Sequence, residues 1–147
     1  APTIALDKTQ QTATFTFAKP IAPGRYTLAI DYTGVIYKQA SGFFALDYAG
    51  QAGRQQRALF TQFENSDARR FAPMWDEPGI KSVFALSVDT PQGQVAVSNM
   101  PVAEVANATA KQGPPRHITR FADTPKMSSY LLFLALGDFE RVHAQSA

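Results

Sequence analysis

The 147 residues contain no cysteine, which excludes disulfide staples, thiolate zinc sites and thiol nucleophiles and leaves the redox compartment open. Histidine is nearly as scarce. His117 and His143 are the only two, with no ligand-spaced partner, so a zinc site of the HExxH type, which needs two imidazoles on one helix face, cannot form. His117 reads as an ordinary strand side chain beside Arg116, and His143 falls in the tail, where no role is expected. No strand–turn–helix elbow of the GxSxG type supplies a nucleophile, and no glycine-rich loop opens a helix to cradle phosphate.

Charge of one sign is also lacking. Fourteen Lys+Arg against twelve Asp+Glu leave +2, and the sequence pI near 9.0 overstates how basic the chain is. Nucleic-acid binding needs clustered phosphate-neutralising charge, so no nucleic-acid partner is expected. Long apolar runs are missing too. The longest covers residues 130–137, far below the ~18 residues of a membrane-crossing helix, so no membrane span is expected. The first ten residues have neither a basic start nor an apolar stretch and do not read as a signal peptide. Without an initiator Met, the chain is expected to be processed or cut from something longer.

What is present is a strand-forming sequence, 45% apolar and 12% aromatic, with 9 Gly and 10 Pro. That apolar content is enough to offset chain entropy and suits one domain with a core. The dominant period is two. In residues 25–33, Tyr26, Leu28, Ile30 and Tyr32 alternate with Arg25, Thr27, Ala29 and Asp31, the clearest local strand signal in the chain. Further strands are predicted over residues 13–17, 43–48, 58–64, 81–89 (Phe84, Leu86 and Val88 inward), 95–98 and 117–121. The unbroken apolar stretch of residues 127–136 predicts a strand covered on both faces. Turn chemistry at Gly24, Gly34, Gly50, Gly93 and Gly113 separates these runs. The pattern predicts an all-β fold, an antiparallel sandwich. Residues 66–71 allow one or two helical turns with a Ser or Asp N-cap, and residues 102–110, Ala-rich between Pro101 and Gly113, read as a loop.

The chemistry concentrates in residues 59–78, LFTQFENSDARRFAPMWDEP. On a strand, Leu59, Thr61 and Phe63 share one face and Phe60, Gln62 and Glu64 the other. A carboxamide and a carboxylate pointing the same way suit a small cation such as an ammonium; a solvated face of a half-buried strand is the plainer alternative. Asp67, Arg69, Arg70, Asp76 and Glu77 follow at a density at which arginine forks usually tie a loop down. Trp75, the sole tryptophan, reads as a core plug beside Met74.

These residues carry a resemblance. TQFENSDARR followed by Asp76-Glu77-Pro78 resembles the signature in the N-terminal domain of zinc aminopeptidases of the aminopeptidase N, puromycin-sensitive and leukotriene-hydrolase group. Tyr32–Gly34 (numbers 32–34), Gly42-Phe43-Phe44, Ser98-Asn99-Met100-Pro101, the stretch 124–132 and Gly137-Asp138-Phe139-Glu140 agree in order, so the likeness runs from about Pro20 to Val142. The chain departs at Ala72-Pro73-Met74-Trp75, where the family usually has a Phe-Pro-Cys-Phe-type stretch.

The resemblance implies a saddle-like β domain over residues 1–142, joined partway through and so incomplete at its N-terminal end, with 143–147 leading to a catalytic domain of the same parent polypeptide. It implies that Glu64 grips the α-amino group of a peptide N-terminus, that Gln62 lines the first side-chain pocket, and that Asp67, Arg69, Asp76 and Glu77 support the loop. No catalytic residue, metal ligand or bound cofactor is then expected in this chain. Zinc and the HExxH helix would belong to the parent's catalytic domain, and the chain alone would be inactive. The competing readings are a β-sandwich binding module attached to no enzyme and an independent hydrolase, for which no nucleophile–base pair is visible. Strand edges left open by truncation are expected to promote self-association.

Overall fold

A computed structural model describes residues 1–50, 53–108, 113–140, 142 and 144. Within them every named strand pairing is antiparallel and no α-helix occurs, as the period-two pattern predicts. The chain forms two compact units, Ala1–Gly34 and Val35–Ala147.

The first unit is built on one hairpin. Strand β1 (Thr3–Asp7) pairs with β2 (Thr12–Thr16), with Thr3 opposite Thr16 and Asp7 opposite Thr12. The turn is fastened by Asp7, whose Oδ1 accepts the backbone N–H groups of Thr9 (2.8 Å) and Gln10 (2.9 Å). This short acidic side chain mimics a backbone acceptor, and so favours a turn over a longer strand. Residues 25–33 overturn the clearest expectation of the sequence: they form no strand. Their alternation is intact, yet Tyr26, Leu28 and Tyr32 are all at least half exposed. A strand needs a ladder, and no described segment supplies one to these residues.

The second unit is a sandwich. Strands β3 (Gly42–Ala49), β4 (Gln55–Gln62), β7 (Val95–Ser98) and β11 (Leu134–Gly137) form a four-stranded sheet in the order β3-β4-β11-β7. Strands β6 (Ser87–Pro91), β8 (Val102–Ala108) and β9 (Arg116–Phe121) form a three-stranded sheet in the order β6-β9-β8. Between them, Ala96, Leu134 and Leu136 of the first sheet pack with Phe121 of the second, joined by Phe43, Leu59, Leu86 and Val88. Removing these side chains from water is the main stabilising term. All four residues of β11 are buried, which fits a central strand covered on both sides.

Three expectations about this unit are corrected. Residues 102–110 are not a loop, because Val102–Ala108 is a strand on β9; residues 109 and 110 lie outside the described residues. The pairing, with an irregularity between Val102 and Glu104 and an ion pair from Arg120 to Glu104 at 2.7 Å, outweighs the helical preference of its alanines. Residues 81–89 split into β5 (Lys81–Ser82) and β6, since the intervening chain changes partner. It bonds Thr124 through Phe84 and Phe121 through Leu86. Phe84, Leu86 and Val88 do face inward. Residues 127–136 likewise divide into β10 (Met127–Ser128), which pairs with β5, a 3₁₀ turn at Ser129–Leu131, and β11.

Candidate functional site

Strand β4 sets the geometry of the segment that the sequence singles out. Its register places Gln62 opposite Gly42 and Thr61 opposite Phe43. Along the chain Thr61 and Phe63 are buried, whereas Gln62 and Glu64 are exposed. The strand ends at Gln62, so Glu64 sits not on it but on the turn that follows. Thr61 explains the ending. Its hydroxyl accepts the Leu134 N–H at 2.9 Å and contacts the Leu134 carbonyl at 3.4 Å, standing in for the backbone ladder that β11 would otherwise continue.

The turn is held at both ends. Phe63, only 2% exposed, and Ala68, 0% exposed, are buried together with Leu132. The Asp67 N–H donates to the Phe63 carbonyl at 2.9 Å, closing the loop around Glu64. A single 3₁₀ turn, Ala68–Arg70, follows in place of the one or two helical turns expected. Asp67 stands at its N-cap position, but its side chain makes no capping bond. It is engaged elsewhere, accepting from the Ser41 hydroxyl at 2.6 Å and from Arg70 Nε at 2.8 Å. Gly42 permits this closeness. Its φ is +70°, and a Cβ there would lie 2.7 Å from Arg70 Cβ.

Asp76 is the buried anchor of the segment, its side chain 3% exposed. Its Oδ2 accepts the Arg69 backbone N–H at 3.0 Å and Arg69 Nε at 2.9 Å, and its carbonyl accepts Arg69 Nη2 at 3.0 Å. Its Oδ1 accepts the Ser129 hydroxyl at 2.8 Å. Burial pushes the Asp76 carboxyl up, but the Arg69 guanidinium, the Arg69 N–H and the Ser129 hydroxyl together outweigh it and hold the group below its ordinary range. Glu77 is exposed, and its backbone carbonyl accepts the Ile80 N–H at 2.9 Å. Trp75 contradicts the expectation of a core plug: it is 74% exposed. Asp76 turns inward to meet its donors and the adjacent side chain, with Pro73 before and Pro78 after, is left outside. His117, at Nε2, lies 3.3 Å from the hydroxyl of buried Thr90, and His143 lies outside the described residues.

Glu64 and Gln62 therefore differ from their neighbours. Neither side chain takes part in a hydrogen bond or ion pair among the described residues, while Asp67, Arg69, Arg70 and Asp76 are all engaged. On the side of β4 shared with Gln62, the Phe60 ring packs at a tilt against Phe44 and Phe139, with ring centroids 6.0 and 5.9 Å apart. An exposed carboxylate on an anchored turn, two residues beyond an exposed carboxamide at the strand's end, can accept a cationic group. Three participants escaped the sequence: Ser41, Thr61 and Ser129. Their partners lie 26, 73 and 53 positions away, so no local spacing marks them. Among the described residues, no group of three or more His, Asp or Glu could hold a metal ion.

Comparison with known proteins defines the class. Residues 1–131 match the family described as the Peptidase M1 N-terminal domain, and the chain belongs to it. Among individual proteins, it is 43% identical over 144 residues to an aminopeptidase N of Acetobacter pasteurianus, covering 98% of this chain and 39% of that protein. It is 34% identical over 130 residues to aminopeptidase M1-B of rice (88% of this chain, 14% of that protein). It is 32% identical over 143 residues to aminopeptidase M1 of Arabidopsis thaliana (97% and 16%). The chain thus spans well under half the length of these relatives.

Proposed function

We propose that this chain is the substrate-positioning N-terminal portion of a zinc-dependent aminopeptidase, catalytically inert by itself. Its Glu64 accepts the charged α-amino group of a peptide, and Gln62 lines the wall of the first side-chain pocket. The supporting observation is the contrast within one turn: Glu64 is exposed and without a side-chain partner among the described residues, on a backbone anchored by Phe63, Ala68 and Asp67. The backbone under this carboxylate is already ordered, so only side-chain freedom remains to be lost when an ammonium arrives. Membership of the family and the aminopeptidase names of its relatives give the reading its substrate class.

The remainder of the site belongs to a catalytic domain on the same parent polypeptide. A second glutamate there completes the grip on the ammonium, and the zinc is placed there as well. Holding the amino group at a fixed place restricts cleavage to the first peptide bond.

The test is Glu64→Ala in the parent enzyme. Removing one partner of a desolvated charge pair costs about 2–5 kcal/mol, so kcat/KM for aminoacyl substrates should fall roughly 30-fold to more than 1,000-fold. A variant as active as wild type refutes the assignment. A parent without any metallopeptidase segment would instead make the chain a β-sandwich interaction module.

A further inference from the structure

We propose that Asp76 is a positioning residue for the ammonium site, locking the Arg69 turn to Ser129 so that the backbone carrying Glu64 keeps one place relative to β4. This rests on the reading of Glu64 as the ammonium acceptor. Glu64 makes no side-chain bond of its own among the described residues, so what the fold fixes is the backbone from which its side chain springs.

That backbone belongs to a closed circuit. From Thr61 the chain runs through Phe63 and the Glu64 turn to Ala68 and Arg69. Arg69 is fastened to Asp76 by its N–H and its guanidinium, and Asp76 to Ser129 by the serine hydroxyl. From Ser129 the chain passes through Leu132, which is buried with Phe63 and Ala68, to Leu134. The Leu134 N–H returns to the Thr61 hydroxyl at 2.9 Å. Three polar links thus close a ring around one apolar cluster, and the exposed Glu64 lies on the part of it between Thr61 and Ala68.

The chemistry of the Asp76 link favours orientation over stability. A buried ion pair often gives no more stability than well-packed apolar residues of the same volume, because desolvation offsets the attraction. Apolar contacts, however, leave a turn free to slide, whereas Asp76 uses both carboxylate oxygens and its carbonyl against donors of fixed direction. Opening the link leaves Phe63 and Ala68 buried but frees the 3₁₀ turn to shift, and Glu64 with it.

The test uses the parent aminopeptidase and two competitive inhibitors, leucine hydroxamate and 4-methylpentanoyl hydroxamate, which lacks the α-amino group. The readout is the ratio of their inhibition constants, a quantity that general loss of structure does not change selectively. In Asp76→Asn the preference for the amino compound should fall roughly tenfold, and in Ser129→Ala about threefold, with the des-amino compound unaffected. A preference unchanged in both variants, or an equal weakening of both inhibitors, overturns the proposal. Should Asp76→Asn not fold, Ser129→Ala, which retains the Arg69 pair, decides alone. Glu64→Ala is the separate control: an unchanged preference there refutes the ammonium reading itself, whereas a collapsed preference there beside unchanged values in the other two refutes only the role of Asp76.

Discussion

Residues 25–33 and residues 134–137 make an instructive pair. The first stretch alternates apolar and polar side chains without a fault, yet forms no strand and leaves Tyr26, Leu28 and Tyr32 exposed. The second shows no alternation, yet is a central strand with all four residues buried. Alternation says which side chains could share a face; it does not say that a partner is there. Leu134–Gly137 has β4 on one side and β7 on the other, whereas no described segment pairs with residues 25–33. Strand formation is decided by the ladder and by what covers it.

The widest gap should appear in stability. Phe63, fully enclosed with Ala68 and Leu132, is expected to cost about 3–5 kcal/mol when truncated to alanine. Leu28→Ala, in the unpaired stretch, should fall within about 0.5 kcal/mol of wild type, the range of ordinary surface changes. Urea unfolding of the two variants measures both, and equal losses would mean that residues 25–33 have a partner after all.

A smaller effect appears with pH. The Asp76 carboxyl lies below its ordinary value in the folded chain, so on acidification the unfolded state takes up the proton first. The stability it contributes is therefore complete above the ordinary carboxylate range and is lost as pH falls through the native value. Asp76→Asn should flatten the acid side of a plot of urea midpoint against pH. Some slope will remain, because Arg57 and Lys38 also hold Asp47 well below the usual range. An acid limb identical to wild type would remove Asp76 as its source.

The smallest effect is association. Unpaired backbone and the exposed Leu28, Tyr26 and Tyr32 predict weak, concentration-dependent self-association of the isolated chain. Sedimentation at rising concentration measures it, and a strict monomer throughout would show that these residues offer no edge to a second copy.

Much of the fold was legible because its period is local. The all-β class, the span of β7 and the inward set Phe84, Leu86 and Val88 follow from spacing alone. The break between β5 and β6 was not legible, since it depends on Thr124 and Phe121 arriving from far along the chain. Nor was β8, whose alanines favour a strand only because β9 lies beside them. At the site, Gln62 and Glu64 stood out by residue type at the end of a strand pattern, and Asp67, Arg69 and Asp76 by charge density. Ser41, Thr61 and Ser129 did not, because a hydroxyl acquires meaning only from a distant partner.

Trp75 gives the chain an optical reporter that needs no labelling. It is the single indole in the sequence, stands open to solvent, and is covalently joined to the carboxylate that fastens the turn. Its emission should begin far to the red, and anything that covers or dries that loop, including an adjoining segment of a longer parent, would move it toward the blue. The residue that fails to plug the core is thereby the one from which assembly can be watched.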